Sequence, residues 1–401
     1  MSYERFTIPR LTHQAQNPMF RIGALVHGRE DILHLEFGEP DFPTPAHIVE
    51  AAAKSLRDEK QGYGPSNGLA PLREAIAARV TRVSKSLATP DQIIVTPGGT
   101  GALMASLLCL TLPGDEVLVP DPAWAGYEGM LAVASAQMMR YPLRAADGWQ
   151  PDLEALEAAI TPRTRVLLLN SPSNPAGAVY PEATIASVVE IADRHDLWIL
   201  SDECYDELVY EGRHISPASL DQNQRVITIG TFSKTYAMTG WRVGWLVAPP
   251  ALLNGLNIIV AAQVNNLPTF VQRGALAALR GSQQCAREML GAYRDRRDLA
   301  ITVLRSHGVL SYLPAGAFYL LIDLVQGSDS DAAPPASPNF DSVRFAESLI
   351  AERGIAVAPG AAFGSRTNGS VRVSLASGPD TLRKGISGLL ELARGYPGTA
   401  V

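Results

Sequence analysis

Arg225-Val-Ile-Thr-Ile-Gly-Thr-Phe-Ser-Lys-Thr-Tyr236 is the stretch that decides how this chain folds. Its β-branched run, Val226 to Ile229, has the composition of a buried strand and stops at Gly230, so Lys234 falls on the loop just past the strand's carboxyl end. In open α/β sheets that end is where ligands bind. Arg242 follows in Gly-Trp-Arg-Val-Gly-Trp, and the hydroxyls of Thr231 and Ser233 flank the lysine. An amine able to form an imine with an aldehyde thus stands beside groups that bind an anion. A lone lysine after a strand is ordinarily a solvated surface residue, so other segments have to supply partners.

They do, because further apolar runs end in the same manner. Leu197 to Tyr210 sets Asp202 and Tyr205 at the end of a strand. Asn174 lies in Asn170-Ser-Pro-Ser-Asn-Pro-Ala-Gly177, after the run Val166 to Leu169. Gly98-Gly-Thr-Gly-Ala102 follows Ile93-Ile-Val-Thr96 and opens an apolar helix running to about Leu110, where free backbone N–H groups and the helix's positive end suit an anion. Each has a plain reading when taken singly: Asp202 as a helix cap, Asn174-Pro175 as a turn, Cys204 as a small core residue. Amine, carboxylate, phenol, amide and anion site together match the needs of pyridoxal 5'-phosphate.

With 401 residues, the chain suits two domains sharing a site. Hydrophobic residues at 46 % and charged ones at 18 % are a globular balance, and the net charge of −6 carries no long run of one sign. That excludes a nucleic-acid footprint and a basic membrane patch as organising features. The apolar stretch Ala251 to Val264 is broken by Asn254, Asn257 and Gln263, too polar to span a membrane. Met-Ser-Tyr-Glu-Arg at the start has no apolar leader, and Cys109, Cys204 and Cys285 lack metal-ligand spacing. No metal site is expected, and buried thiols in a reducing cytoplasm are.

Short apolar runs alternate with amphipathic helices from about residue 46 to 290, the signature of a mainly parallel sheet with helices on both faces. Predicted strands are Ile93–Thr96, Glu116–Val119, Val166–Leu169, Trp198–Leu200, Val226–Ile229 and Val243–Val247; predicted helices include Pro71–Lys85 and Ile185–Asp196. Beyond 290 the pattern becomes helix Tyr293–Ser306, strand Ala317–Ile322, helix Ser342–Arg353, strand Val371–Leu375 and a last helix from Asp380, a smaller α+β unit. The polar, proline-rich run Gly327 to Asn339 is expected to be an exposed loop.

From Gly38-Glu-Pro-Asp-Phe-Pro-Thr-Pro45 to Val371-Arg-Val-Ser-Leu375 the ensemble resembles the class I/II aminotransferases of the aspartate aminotransferase superfamily. The resemblance implies an α/β fold-type I pyridoxal-phosphate transferase: a large domain, 46–290, whose mainly parallel seven-stranded-type sheet is sandwiched by helices, and a discontinuous α+β domain, 1–45 with 291–401. It implies ping-pong transfer of an amino group between an L-amino acid and a 2-oxo acid; a lyase, decarboxylase or oxidative enzyme on the same scaffold is the alternative. A DNA-binding regulator is disfavoured by the short segment ahead of residue 46.

Residue by residue, the resemblance makes Lys234 the cofactor's anchor and the base, Asp202 the partner of its ring nitrogen, and Tyr205 with Asn174 donors to its ring oxygen. Trp124 stacks on the ring, while Gly99, Thr100, Gly101, Thr231, Ser233 and Arg242 hold the phosphate. Tyr63, in Gly-Tyr-Gly-Pro-Ser-Asn-Gly, reaches that phosphate from the other subunit of a homodimer. Arg372 grips the substrate carboxylate, with Gly38, Trp124 and Asn174 around it. Many bacterial aspartate aminotransferases place a lysine just after the glycine-rich turn for a second carboxylate; here the nearest equivalent is Gly101, which puts aspartate and glutamate specificity in doubt.

Overall fold

The computed structural model describes residues 17–309, 312–325 and 340–401. The proline-rich run Gly327 to Asn339 lies outside them, as do residues 1–16.

In chain order the strands are β1 (Leu33–His34), β2 (Ile93–Thr96), β3 (Glu116–Asp121), β4 (Gln137–Arg144), β5 (Gln150–Pro151), β6 (Thr164–Asn170), β7 (Trp198–Asp202), β8 (Val226–Thr231), β9 (Gly244–Val247), β10 (Tyr319–Asp323), β11 (Ile355–Ala356), β12 (Ala358–Pro359) and β13 (Ser370–Ser374). The central sheet runs β2-β9-β8-β7-β6-β3-β4-β5. Strands β4, β3, β6, β7 and β8 are parallel, and β9 is antiparallel to both of its neighbours. The sheet gains an eighth strand over the expected seven because β5 folds back along the end of β4.

Period-two alternation loads both faces of this sheet. Val166 and Leu168 of β6 enter the core that holds Ile227, Ile229 and the Gly98–Leu110 helix; Leu167 and Leu169 enter the opposite core with Ile199 and the Glu182–Arg194 helix. Burial on both faces explains why these strands read as continuous apolar runs. The Gly98–Leu110 helix is apolar all round for the same reason, packing under β7, β8 and β9 with Ala102, Ala105 and Leu107 fully buried.

A three-stranded antiparallel sheet, β10-β13-β12, forms the centre of the second core. Phe318, Leu320 and Val373 pack there against Phe345, Leu349, Leu382 and Leu389 of the Ser342–Arg353 and Pro379–Ala393 helices. Asp341 caps the first of these by accepting from the backbone N–H of Val343 and Arg344. The β1–β11 pair ties the amino-terminal segment to this unit.

Differences from the sequence expectation have local causes. The strand expected from Ala317 starts at Tyr319, since Ala317 holds φ 55° and cannot extend the ladder. The helix expected from Tyr293 begins at Gln284 and runs through position 290, with Met289 and Tyr293 in the same core. The Pro71–Lys85 helix is Ala70–Ser84, ended by Lys85 at φ 57°. The cysteines, expected to be buried, are all free and half-buried.

Candidate active site

The carboxyl ends of β6, β7 and β8 and the start of the Gly98–Leu110 helix open into a cavity of about 480 Å³, bounded on the other side by Glu36 to Glu39, Tyr319, Phe363 and Arg372. Gly38, Gly99, Thr100, Trp124, Asn174, Asp202, Tyr205, Thr231, Ser233, Lys234, Arg242 and Arg372 all line it. Gly101 and Tyr63 do not. A Cβ on Gly101 would stand 2.5 Å from the Pro97 ring, so its missing side chain serves packing within the helix's first turn. Tyr63 is 91 % exposed. Arg21 pairs with Glu347 on the surface, outside the cavity lining.

Lys234 Nζ donates to the Gly38 carbonyl at 2.6 Å, bridging the loop after β8 to the amino-terminal segment. That loop is set by its own hydroxyls: Thr231 Oγ1 donates to Ser233 Oγ at 2.9 Å and accepts from the Ser233 N–H at 3.2 Å. Arg242 takes a left-handed conformation at φ 51° and donates to Thr239 O at 2.7 Å. Its guanidinium reaches the helix start because Gly98 has no side chain; a Cβ there would stand 2.7 Å from Nη2. Guanidinium, hydroxyls and the positive end of a helix converge on one point, which fits a phosphate.

Asp202 closes β7, buried, with Oδ2 accepting from Tyr127 at 2.7 Å and Oδ1 from the Cys204 N–H at 3.2 Å. Burial pushes its carboxyl above the usual range, opposed by the hydrogen bonds from Cys204 and Tyr127. A protonated ring nitrogen is the kind of partner that would restore the anion. Cys204 itself borders the cavity, its sulfur 3.0 Å from where a Gly99 Cβ would lie. Trp124 meets Tyr127 edge to face at 5.3 Å.

Arg372, the residue expected to grip a carboxylate, is held on several sides. Nη1 donates to Asn174 Oδ1 at 3.0 Å and Nη2 to the Glu36 carbonyl at 2.5 Å, while Nε is buried with no partner. Its guanidinium lies over the Tyr319 and Phe363 rings at 4.4 and 4.8 Å. Burial lowers its pKa, so this cation gains from an incoming anion. Asn174 is held by Asn170, whose Oδ1 accepts from its N–H at 2.8 Å while Nδ2 donates to Asp202 O at 3.0 Å. Asn170, Tyr127, Phe363 and Tyr319 were not singled out from the sequence; for Asn170 the signal was its place at a strand end, and for Tyr319 its alternation within the run ending at Ile322.

An open α/β sheet with a lysine past one strand, a buried carboxylate past the next and a phosphate cradle opposite defines the fold-type I class of pyridoxal-phosphate enzymes. Within that class the chain belongs to the aminotransferase class I and II family, whose model matches residues 30–387. It is similar to an arginine–pyruvate transaminase of Pseudomonas aeruginosa, 39 % identical over 91 % of both chains. It is also similar to the aspartate/prephenate aminotransferase of Thermus thermophilus, 38 % identical over 89 % of both. Among solved structures, aspartate aminotransferase from Thermus thermophilus with maleate superposes with a TM-score of 0.87 at 35 % identity, covering 96 % of this chain and 99 % of that one. The aromatic aminotransferase of Pyrococcus horikoshii gives 0.85 at 32 %, covering 94 % and 98 %. The protein is a pyridoxal-phosphate-dependent aminotransferase, and these relatives do not support the lyase, decarboxylase or oxidative alternative.

Proposed function

We propose that the cavity at the ends of β6, β7 and β8 is the transamination site and that the donor is an L-amino acid with one carboxylate and an apolar side chain. The bound cofactor supplies an electrophilic carbon and a ring that withdraws electron density from the substrate's Cα. Lys234 Nζ would hold the cofactor and, once free, would be the base that takes the substrate's Cα proton and gives it back. Asp202 would keep the ring nitrogen protonated, Asn174 and Tyr205 would donate to the ring oxygen, and Trp124 would cover the ring. The Gly98–Leu110 helix start, with Gly99, Thr100, Thr231, Ser233 and Arg242, would hold the phosphate. Arg372 orients the substrate through its carboxylate, beside Gly38, Trp124 and Asn174.

The observation that carries the substrate class is the make-up of the cavity's rim. Its described cations, Lys234, Arg242 and Arg372, each have a role already, while Met19, Phe20 and Phe37 add apolar surface, Phe20 being 72 % and Phe37 50 % exposed. A second carboxylate therefore finds no further cation among the described lining residues, and an apolar side chain finds cover. The aspartate named for the Thermus relatives is accordingly disfavoured. We further propose the division into 46–290 and 1–45 with 291–401, joined by the Gln284–Ser306 helix. The assembly is a homodimer in the cytoplasm in which Tyr63 reaches the other subunit's phosphate. Support comes from exposed apolar side chains, Ile258 of the Leu253–Val264 helix at 63 % and Leu112 just after the Gly98–Leu110 helix at 72 %. No helix of the described residues is long and apolar enough to cross a membrane.

A half-reaction tests the site and the substrate class together. Holoenzyme mixed with L-phenylalanine and no acceptor should release its 2-oxo acid on the order of tenfold faster than with L-aspartate, the scale expected for burying an aromatic ring. Lys234→Ala should release none, and equal rates or faster reaction of aspartate would refute the substrate class.

A further inference from the structure

β10 and β13 pair with Tyr319 opposite Ser374 and Leu321 opposite Arg372. Residues two apart on a strand share a face, so Tyr319 and Arg372 are diagonal neighbours, and both line the cavity. The Arg372 guanidinium, 4.4 Å from the Tyr319 ring centroid, fixes the plane of that ring. At the tip of the side chain the Tyr319 hydroxyl lies 2.8 Å from the Tyr205 hydroxyl. The same oxygen fills the space beside Gly38, where a Cβ would stand 2.4 Å away. Tyr319 is 1 % and Tyr205 5 % exposed, so bulk water does not compete for the bond between them.

A phenol carries one proton, and that limits which way this bond can run. Burial, reinforced by the neighbouring Tyr319 hydroxyl, raises the Tyr205 pKa well above that of a free phenol, so Tyr205 keeps its proton. If that proton goes to the cofactor's ring oxygen, the bond between the two phenols has to run from Tyr319 to Tyr205. A hydroxyl that accepts a hydrogen bond is polarised into a stronger donor, by about 10–30 % per bond.

We propose that Tyr319 is a positioning residue that donates to Tyr205, aiming and strengthening the one proton Tyr205 offers the cofactor. The proposal rests on the role given to Tyr205 above. Its test is a spectrophotometric pH titration of the cofactor's visible absorbance in holoenzyme of the wild type, Tyr205→Phe, Tyr319→Phe and the double variant. A donor to the ring oxygen stabilises its negative charge, so losing the donor raises the titration midpoint. Tyr205→Phe should raise it; Tyr319→Phe should raise it by less, about a few tenths of a pH unit. The double variant should match Tyr205→Phe alone, because Tyr319 acts only through Tyr205. An unmoved midpoint in Tyr319→Phe, or additive shifts in the double variant, overturns the proposal while leaving Tyr205 in its role. An unmoved midpoint in Tyr205→Phe overturns both. A Tyr319 that merely packs would alter melting temperature without moving the midpoint.

Discussion

Gly38 shows how a single residue can be chosen for a reason its motif does not display. The family resemblance sets it beside the substrate's carboxylate; the structure adds that a Cβ would press to 2.4 Å on the Tyr319 hydroxyl, with the next ring atom at 3.3 Å. Gly38→Ala should therefore cost about 1–3 kcal/mol in urea unfolding, the usual penalty for overpacking. Adding Tyr319→Phe removes the clashing oxygen and should return most of that loss. If the double variant is no more stable than Gly38→Ala alone, the hydroxyl is not what excludes the side chain.

At the scale of elements, the loop that follows β7 is braced from behind by buried charge. Arg79 of the Ala70–Ser84 helix grips Asp206 with two bonds of 2.8 Å. Both are buried, and the guanidinium sits 4.9 Å over the Trp245 ring. Arg79→Met leaves that carboxylate uncompensated and should destabilise the fold by about 3–5 kcal/mol, with Arg79→Met/Asp206→Leu recovering much of it in the same unfolding assay. Glu203, one residue past Asp202, accepts from Ser201, Ser216 and His214 at 2.9, 2.6 and 2.9 Å. Burial opposes a charged His214, but the Glu203 carboxylate outweighs it and lifts the ring's pKa above the ordinary 6.5. A raised folded pKa stabilises fully below the unfolded value and fades as pH climbs through the folded one. Melting temperature should hence decline above about pH 6.5 in the wild type, and His214→Gln should flatten that part of the profile.

The whole molecule is where the assembly of the site is tested. If Tyr63 serves a neighbouring subunit, Lys234→Ala and Tyr63→Ala protomers each fail alone yet complement when mixed. A heterodimer then holds one intact site, so random re-pairing of equal amounts should restore about a quarter of wild-type sites. Activity that stays at the sum of the separate variants would place Tyr63 outside the site. At this scale the inner strands of the central sheet were legible because they are buried on both faces and read as unbroken apolar runs, as in Val226 to Ile229. Strands β4 and β5 were not: Gln137–Arg144 is polar and partly exposed along much of its length, and the two residues of β5, which pair only by folding back, carry no period of their own.

What the sequence determined by itself was local: which runs form strands, which helix opens on glycines, and which reactive groups sit at strand ends. Lys234, Asp202, Asn174 and Arg242 were legible because each lies within a few residues of the strand end that positions it. Tertiary structure alone decided which of these groups meet. Lys234 finds the Gly38 carbonyl across 196 positions, Arg372 finds Asn174 across 198, and Tyr319 finds Tyr205 across 114. Propensity and periodicity act over single turns and strand lengths, whereas these contacts depend on the β10–β13 register and on the second core closing over the first.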